Sequence, residues 1–263
     1  MKKILYLSLC AILIIGGFTA CSDTNKNKNI TEEESKIEIN EAYDLYTKML
    51  VAMAGVKSID MDIIELHDIL IDSEEPSSGS AIGNIKKSVN RETGGIDIAT
   101  LFTVSVDDNT IITNAIGYYT DGIYYSETNG LKQCYKNSYE EIPFVTHADL
   151  LEFPESAVKE FTVSDHEGGK KVEMRLEGSS VISIVEKNQD AKEYNTSDVV
   201  CEFIIDKDNM LKFHRVIFEE SIVDDYSKSM RIKRDISITV NSYNDVEVEL
   251  PYNLDEYEYI NAG

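Results

Sequence analysis

Residues 118–131, YYTDGIYYSETNGL, hold two adjacent tyrosine pairs and two turn dipeptides, Asp121-Gly122 and Asn129-Gly130. Asp-Gly and Asn-Gly favour two-residue hairpin turns, because both central residues of such turns need positive φ. With strand-forming residues on either side, the stretch predicts a three-stranded meander over 110–136. Neighbouring side chains on a strand point to opposite faces. Tyr118 and Tyr119 therefore cannot both face one ligand, and neither can Tyr124 and Tyr125. One of each pair covers the outer side of the sheet or hydrogen-bonds at its rim, and the other is eligible to face its concavity. Cross-strand aromatic pairing accounts for the stretch without any ligand.

Toward the N-terminus the same alternation continues. Strand patterns occupy 98–106 and 82–89, separated by RETGG, and SEEPSSGS at 73–80 reads as a loop. Ile59, Met61 and Ile63 alternate with Asp60 and Asp62, and the phase slips at Ile63-Ile64, which suggests a bulge or a second buried face. Before this strand, Ser35 and Glu38 fit a capping box, followed by Ile39, Ala42, Tyr46, Met49, Leu50 and Met53 at helical spacing. This helix ends near Gly55 and must bury its apolar stripe against the sheet.

Toward the C-terminus, THADLLEF predicts a short helix capped at Thr146 and stopped by Pro154. Strands at 158–164 and 171–176 flank Gly168-Gly169, and 179–192 reads as a helix burying Val181, Ile184 and Val185. Val199, Cys201, Phe203 and Ile205 share one strand face, and DKDN at 206–209 turns the chain into a strand at 210–223. Met230, Ile232, Ile236, Ile238 and Val240 then alternate with polar residues, and a last strand runs from Val246 to Leu250. The fold class is α+β. A curved antiparallel sheet packs on the N-terminal helix and one or two further helices, and its concave side needs filling by a helix or a ligand.

The chain begins with a different grammar. Lys2 and Lys3 precede an apolar run from Ile4 to Phe18, too short for the ~20 residues of a stable membrane span. Phe18-Thr19-Ala20-Cys21 resembles a lipobox, with Phe18 where leucine is usual. Residues 1–20 are read as a lipoprotein signal peptide and Cys21 as the lipidated residue, in preference to a secretory peptide cut near Ala20 or an uncleaved anchor. Two acyl chains then give stable attachment, at about 0.8 kcal/mol per buried methylene. Residues 21–35, polar and without period, form a flexible tether, and 36–263 form one domain.

Across its 263 residues the chain has 25 basic and 48 acidic side chains, a net charge of −23. Removing residues 1–20 takes Lys2 and Lys3 and no acid, which gives −25. Such a surface repels phosphate backbones, so nucleic acid is excluded as a partner. Cys10 leaves with the signal, and Cys134 and Cys201 remain where a disulfide is permitted. A Cys134–Cys201 bridge and two separate buried thiols both remain open.

Catalytic patterns are sparse. His67, His147, His166 and His214 form no HExxH, and there is no G-x-S-x-G elbow, phosphate-cradling glycine loop or CxxC. DKDN lacks the third ligand and the sixth-position glycine of a calcium loop. No enzyme activity, cofactor or metal is expected.

The order of parts resembles the LolA/LprG-like superfamily, in particular its lipoproteins from Gram-positive bacteria. The resemblance is carried by the lipobox and tether, EAYDLYTKMLVAMAGVKSIDMDI, GYYTDGIYYSETNGLKQCYK, VVCEFIIDKDNMLKFHRVIFEE and SITVNSYNDVEVELP, over most of 36–251. It implies a half-open, LolA-like barrel with a hydrophobic cavity that holds acyl chains, and it carries over no catalytic residue. The expected function is a lipid-anchored extracytoplasmic lipoprotein on the cell membrane, binding a lipid, a glycolipid or another hydrophobic ligand. The alternative is a non-enzymatic interaction or sensory module with a filled core.

Overall fold

The computed structural model describes residues 32–72, 75–89, 94–106, 111–136, 153–180, 191–224 and 229–260. The signal peptide, Cys21, most of the tether, His147, the helix expected at Thr146, and residues 181–190 of the helix expected over 179–192 lie outside the described residues.

The helix α1 (Glu32–Ala54) leads into a meander of four long strands and two short ones. These are β1 (Ser58–Ile71), β2 (Ser77–Val89), β3 (Ile96–Val106), β4 (Ile111–Thr120), β5 (Ile123–Thr128) and β6 (Leu131–Lys136). After the turn Glu155–Ala157 come β7 (Val158–His166), β8 (Gly169–Leu176), β9 (Ala191–Thr196), β10 (Val199–Asp206), β11 (Leu211–Asp224), β12 (Ser229–Tyr243) and β13 (Glu258–Tyr259). The sheet order is β13-β6-β5-β4-β3-β2-β1-β12-β11-β10-β8-β7, with β9 on the distal part of β11. Every pair is antiparallel except β13 with β6. The end strands do not pair with each other, so the curved sheet stays unclosed.

The turn chemistry sets the meander. Asp121 and Gly122 take φ of 50° and 78°, and Asn129 and Gly130 take 52° and 80°, the double positive φ of a tight hairpin. Asp206 makes the DKDN turn, its carboxylate accepting from the backbone N–H groups of Asp208 and Met210 at 2.9 Å. Curvature has its own device. Three inward positions, Gly79, Gly83 and Gly117, lie beneath rings from the adjacent strands: His67, Phe102 and Tyr124. A Cβ at any of them would stand inside that ring's contact distance.

The inner face holds the core. Ala42, Tyr46 and Met49 of α1 are buried against it, and Tyr46 stacks on Phe153 at 4.4 Å and tilts against Phe203 at 5.6 Å. A fully buried side chain such as Met49 contributes about 2 kcal/mol of transfer free energy. The helix lies against β7 and the turn Glu155–Ala157, at one end of the sheet.

Several sequence expectations change. Ser35 lies inside α1, because the helix already runs from Glu32. Residues 77–80 belong to β2, where Ser77 to Ser80 pair with Ile69 to Leu66 of β1. Residues 191–192 open β9 instead of ending a helix. Val246–Leu250 is not a strand, since β1 begins at Ser58 and β11 at Leu211 and neither extends alongside the continuation of β12. The chain instead crosses to the far edge. Asn244 N donates to Ser58 O at 2.8 Å, and Ile260 N donates to Cys134 O at 2.9 Å.

Candidate functional site: the concave face and its polar end

The meander splits each tyrosine pair. Tyr119 and Tyr124 point inward and are buried, and Tyr124 packs on Tyr135 at 5.6 Å. Burial lifts the Tyr124 phenol far above its ordinary range, so it stays neutral. Tyr125 points outward, where Tyr257 of the C-terminal crossing meets it edge-on at 5.4 Å. The outward tyrosines are therefore structural, and of these four Tyr119 and Tyr124 share the concave side.

Cys134 and Cys201 are free and buried, the second of the two alternatives left open by the sequence. Their strands, β6 and β10, have seven others between them in the sheet. Cys134 sits on the outer face under Tyr257, to whose carbonyl its thiol donates at 3.7 Å, whereas Cys201 is in the inner core.

The inner face is apolar toward α1 and carries a polar cluster partway along β1, β12 and β11, with Ile69, Ile232 and Ile222 beyond it. Along β1 the alternation of buried and exposed residues runs unbroken through Ile63 and Ile64, but the residue chemistry inverts. Inward positions become Glu65 and His67, and outward ones become Ile64 and Leu66. The phase slip in the sequence thus marks an exchange of polarity between faces. The register irregularity of β1 with β12 lies earlier, at Asp60/Met61.

Glu65 meets Arg234 of β12 and, through it, Glu220 of β11. Arg234 Nη1 donates to Glu65 Oε1 at 2.8 Å and Nε to Glu220 Oε2 at 3.0 Å. Arg234 is only 4% exposed and Glu220 1%. His67 is the register partner of Arg234, and its Nδ1 is buried with no hydrogen-bond partner. Burial pulls the His67 imidazole below its ordinary value, and Arg234 adds to this against the opposing pull of Glu65 and Asp68. His214, stacked flat on Phe203 at 4.5 Å, is buried and held down to about 3.

None of Glu65, Glu220 or Arg234 stood out when the strands were read as apolar alternations. A signal was available. Each is a charged residue in the inward phase of its strand: Glu65 after Met61 and Ile63, Glu220 after Val216 and Phe218, and Arg234 between Ile232 and Ile236.

Outside, the inversion leaves an apolar stripe. Ile64 and Ile82 are opposite each other on β1 and β2, with Leu66 and Leu101 diagonal to them, and the four are 41–56% exposed. Among the described residues there is no group of three or more His, Cys, Asp or Glu able to hold a metal, and no helix long and apolar enough to cross a membrane.

The large, curved and unclosed antiparallel sheet with its helix is consistent with the half-open barrel that the sequence resemblance implies. No family model matches the chain, and no curated protein matches it. Among solved structures it is similar to the crystal structure of LprF from Mycobacterium bovis. That match has 12% identity, covers 80% of this chain and 96% of that one, and gives a TM-score of 0.43. It is also similar to a DUF1329 family protein from Desulfovibrio piger, at 10% identity, 80% and 95% coverage and a TM-score of 0.26. Both likenesses are too loose to bear on function.

Proposed function

We propose that this is a membrane-anchored extracytoplasmic lipoprotein, a binding module and not an enzyme, whose half-barrel takes a lipid or another hydrophobic ligand on its concave face. The observation that carries the reading is the open sheet. Its end strands, β13 and β7, do not pair with each other, α1 lies at one end, and the inward or core-packed side chains Val104, Tyr135 and Ile236 remain only partly buried. An apolar surface of this kind with few polar groups suits a ligand bound mainly by burial. Anchoring rests on the lipobox-like run ending at Cys21.

Two measurements test it. Lipid extraction and native mass spectrometry of the purified protein are expected to show a co-purified acyl species. Repeated ligand-free preparations that also take up no fluorescent fatty acid would overturn the binding reading. Cys21→Ala is expected to release the protein or leave the precursor uncut, and an unchanged membrane fraction would overturn the anchor.

The outer stripe of Ile64, Leu66, Ile82 and Leu101 favours a second reading, an interaction module that uses the convex face. Ligand-free preparations together with a partner lost on stripe substitution would select it.

A further inference from the structure

The convex side of the sheet divides into two halves of different chemistry. From β12 to β7 it is laced with ion pairs: Arg215 with Asp235 at 2.6 Å, Lys171 with Glu202 at 3.4 Å and Arg175 with Asp198 at 3.0 Å. On β2 from Ser78 to Asn84, β3 from Leu101 to Ser105 and β4 from Ile112 to Ile116, the outward residues are Ile, Leu, Ser, Thr and Asn alone. Charged residues make up 28% of the chain, so a charge-free area across three adjacent strands departs from its surroundings. Ile82, Leu101 and Ile112 are each more than half exposed there, and Ile64 and Leu66 continue the area onto β1.

Depletion of charge around exposed apolar side chains marks the core of a protein interface. The polar groups of this area are paired among themselves. The Ser80 and Ser105 hydroxyls bond each other at 2.7 Å, and Thr103 Oγ1 donates to Asn114 Oδ1 at 3.1 Å. A partner can therefore cover them without leaving these hydroxyls unsatisfied.

A second copy of the chain fits this face. Two copies at a net charge of −23 repel each other, and least where neither presents acid. Ile64 and Ile82 are register partners, so a two-fold axis parallel to the strands, between β1 and β2, lays each over the other in the second copy. Asp60 and Lys86 are register partners too, 3.9 Å apart, and the same axis lays each Lys86 over the second copy's Asp60 at the rim. An axis across the strands at Ile64 would instead set Asp60 against the second copy's Asp68. We propose that the convex face of β1 to β4 pairs with itself, Ile64 against Ile82, in a two-fold dimer. The inference rests on the convex-face reading and names its partner, and it leaves the concave side free for a ligand. Four strands about 4.8 Å apart and about seven residues long cover roughly 450 Å². A stable interface buries about 800 Å² per partner, so the dimer is a weak one that forms where copies are concentrated.

The test is sedimentation of the chain from residue 21 with Cys21→Ala, which keeps all of the described fold. The weight-average mass is expected to rise toward twice that of the monomer between about 10 µM and about 1 mM. Association should tighten as salt rises from about 0.05 M to about 0.5 M, because screening weakens the repulsion between copies while apolar contact persists. Ile64→Lys and Ile82→Glu, each alone, are expected to weaken association about tenfold or more. An equimolar mixture of the two variants is expected to recover to within about threefold of the parent, since the introduced charges then face each other across the two-fold. Ile64→Thr with Ile82→Thr serves as a second variant, expected to weaken association, if the charges disturb the fold.

A chain that stays monomeric at about 1 mM overturns the self-pairing. The convex-face reading then still has its own test, a different partner lost on stripe substitution. A dimer indifferent to these variants, or one that salt weakens, also overturns the proposal, because its contact would lie elsewhere or be ionic. Single variants that dissociate but whose mixture does not recover overturn the two-fold arrangement.

Discussion

Arg234 and Glu65 stand on neighbouring strands and meet diagonally, 2.8 Å apart, inside the half-barrel: Glu65 is opposite Ile236, and Arg234 is opposite His67. The same guanidinium reaches the far strand at Glu220. Three strands that adjoin in the middle of the sheet are thus joined by side chains as well as by their ladders.

Removing the central charge exposes the cost of that arrangement. Arg234→Met leaves two buried carboxylates without their guanidinium and is expected to destabilise the fold by about 3–5 kcal/mol in urea denaturation. Adding Glu65→Gln and Glu220→Gln is expected to restore a large part of the loss. A triple variant no more stable than Arg234→Met alone would show that packing, and not charge, set the penalty.

His214 gives the fold an acid sensitivity. Its folded value lies near 3, below the ordinary 6.5, so only the unfolded chain takes up the proton between those values. The stability present above pH 6.5 is therefore lost progressively as pH falls toward 3, at no more than about 1.4 kcal/mol per pH unit for one proton. His214→Leu keeps an apolar side chain against Phe203. Its stability is expected to fall less steeply over that window in denaturation series at several pH values.

Gly117 allows Tyr124 to lie across the sheet. A Cβ there would run into the Tyr124 hydroxyl and come within 2.6 Å of Thr100 Oγ1. Gly117→Ala is expected to cost about 1–3 kcal/mol by overpacking. Tyr124→Phe in the same chain relieves the closer clash, so the double-mutant cycle should show a favourable coupling. Strict additivity would refute the contact.

The convex stripe is solvent-facing and contributes little to the core. Replacing Ile64, Ile82 and Leu101 together by threonine, a good strand former, is expected to leave the melting temperature within a few degrees. Binding of a hydrophobic dye to the native protein should fall. A collapse in stability would mean that the stripe is covered in the folded protein.

Cys134 and Cys201 remain thiols. Alkylation in denaturant without reductant is expected to label both completely, and in the native protein the reaction should be slow because both are buried. A disulfide-linked peptide in the mass spectrum would contradict the fold as described.

Much of this architecture is written in local pattern. Period-two alternation, the Asp121-Gly122 and Asn129-Gly130 turns and the stripe from Ala42 to Met53 act within a few residues of themselves, so strand order along the meander and the burial of α1 are legible without tertiary information. Two failures have one cause. Val246–Leu250 alternates like a strand but has no partner, and residues 77–80 look like a loop but have one. Ladder pairing depends on what lies alongside, which local sequence does not encode.

The tyrosines of 118–131 by themselves determined that one of each pair faces inward. Only the three-dimensional structure decided which face carries the charge. Glu65, Glu220 and Arg234 are far apart in the chain and look like ordinary charges in an acidic protein. They become a site because the antiparallel register of β1, β12 and β11 turns all three inward and brings them within hydrogen-bonding distance.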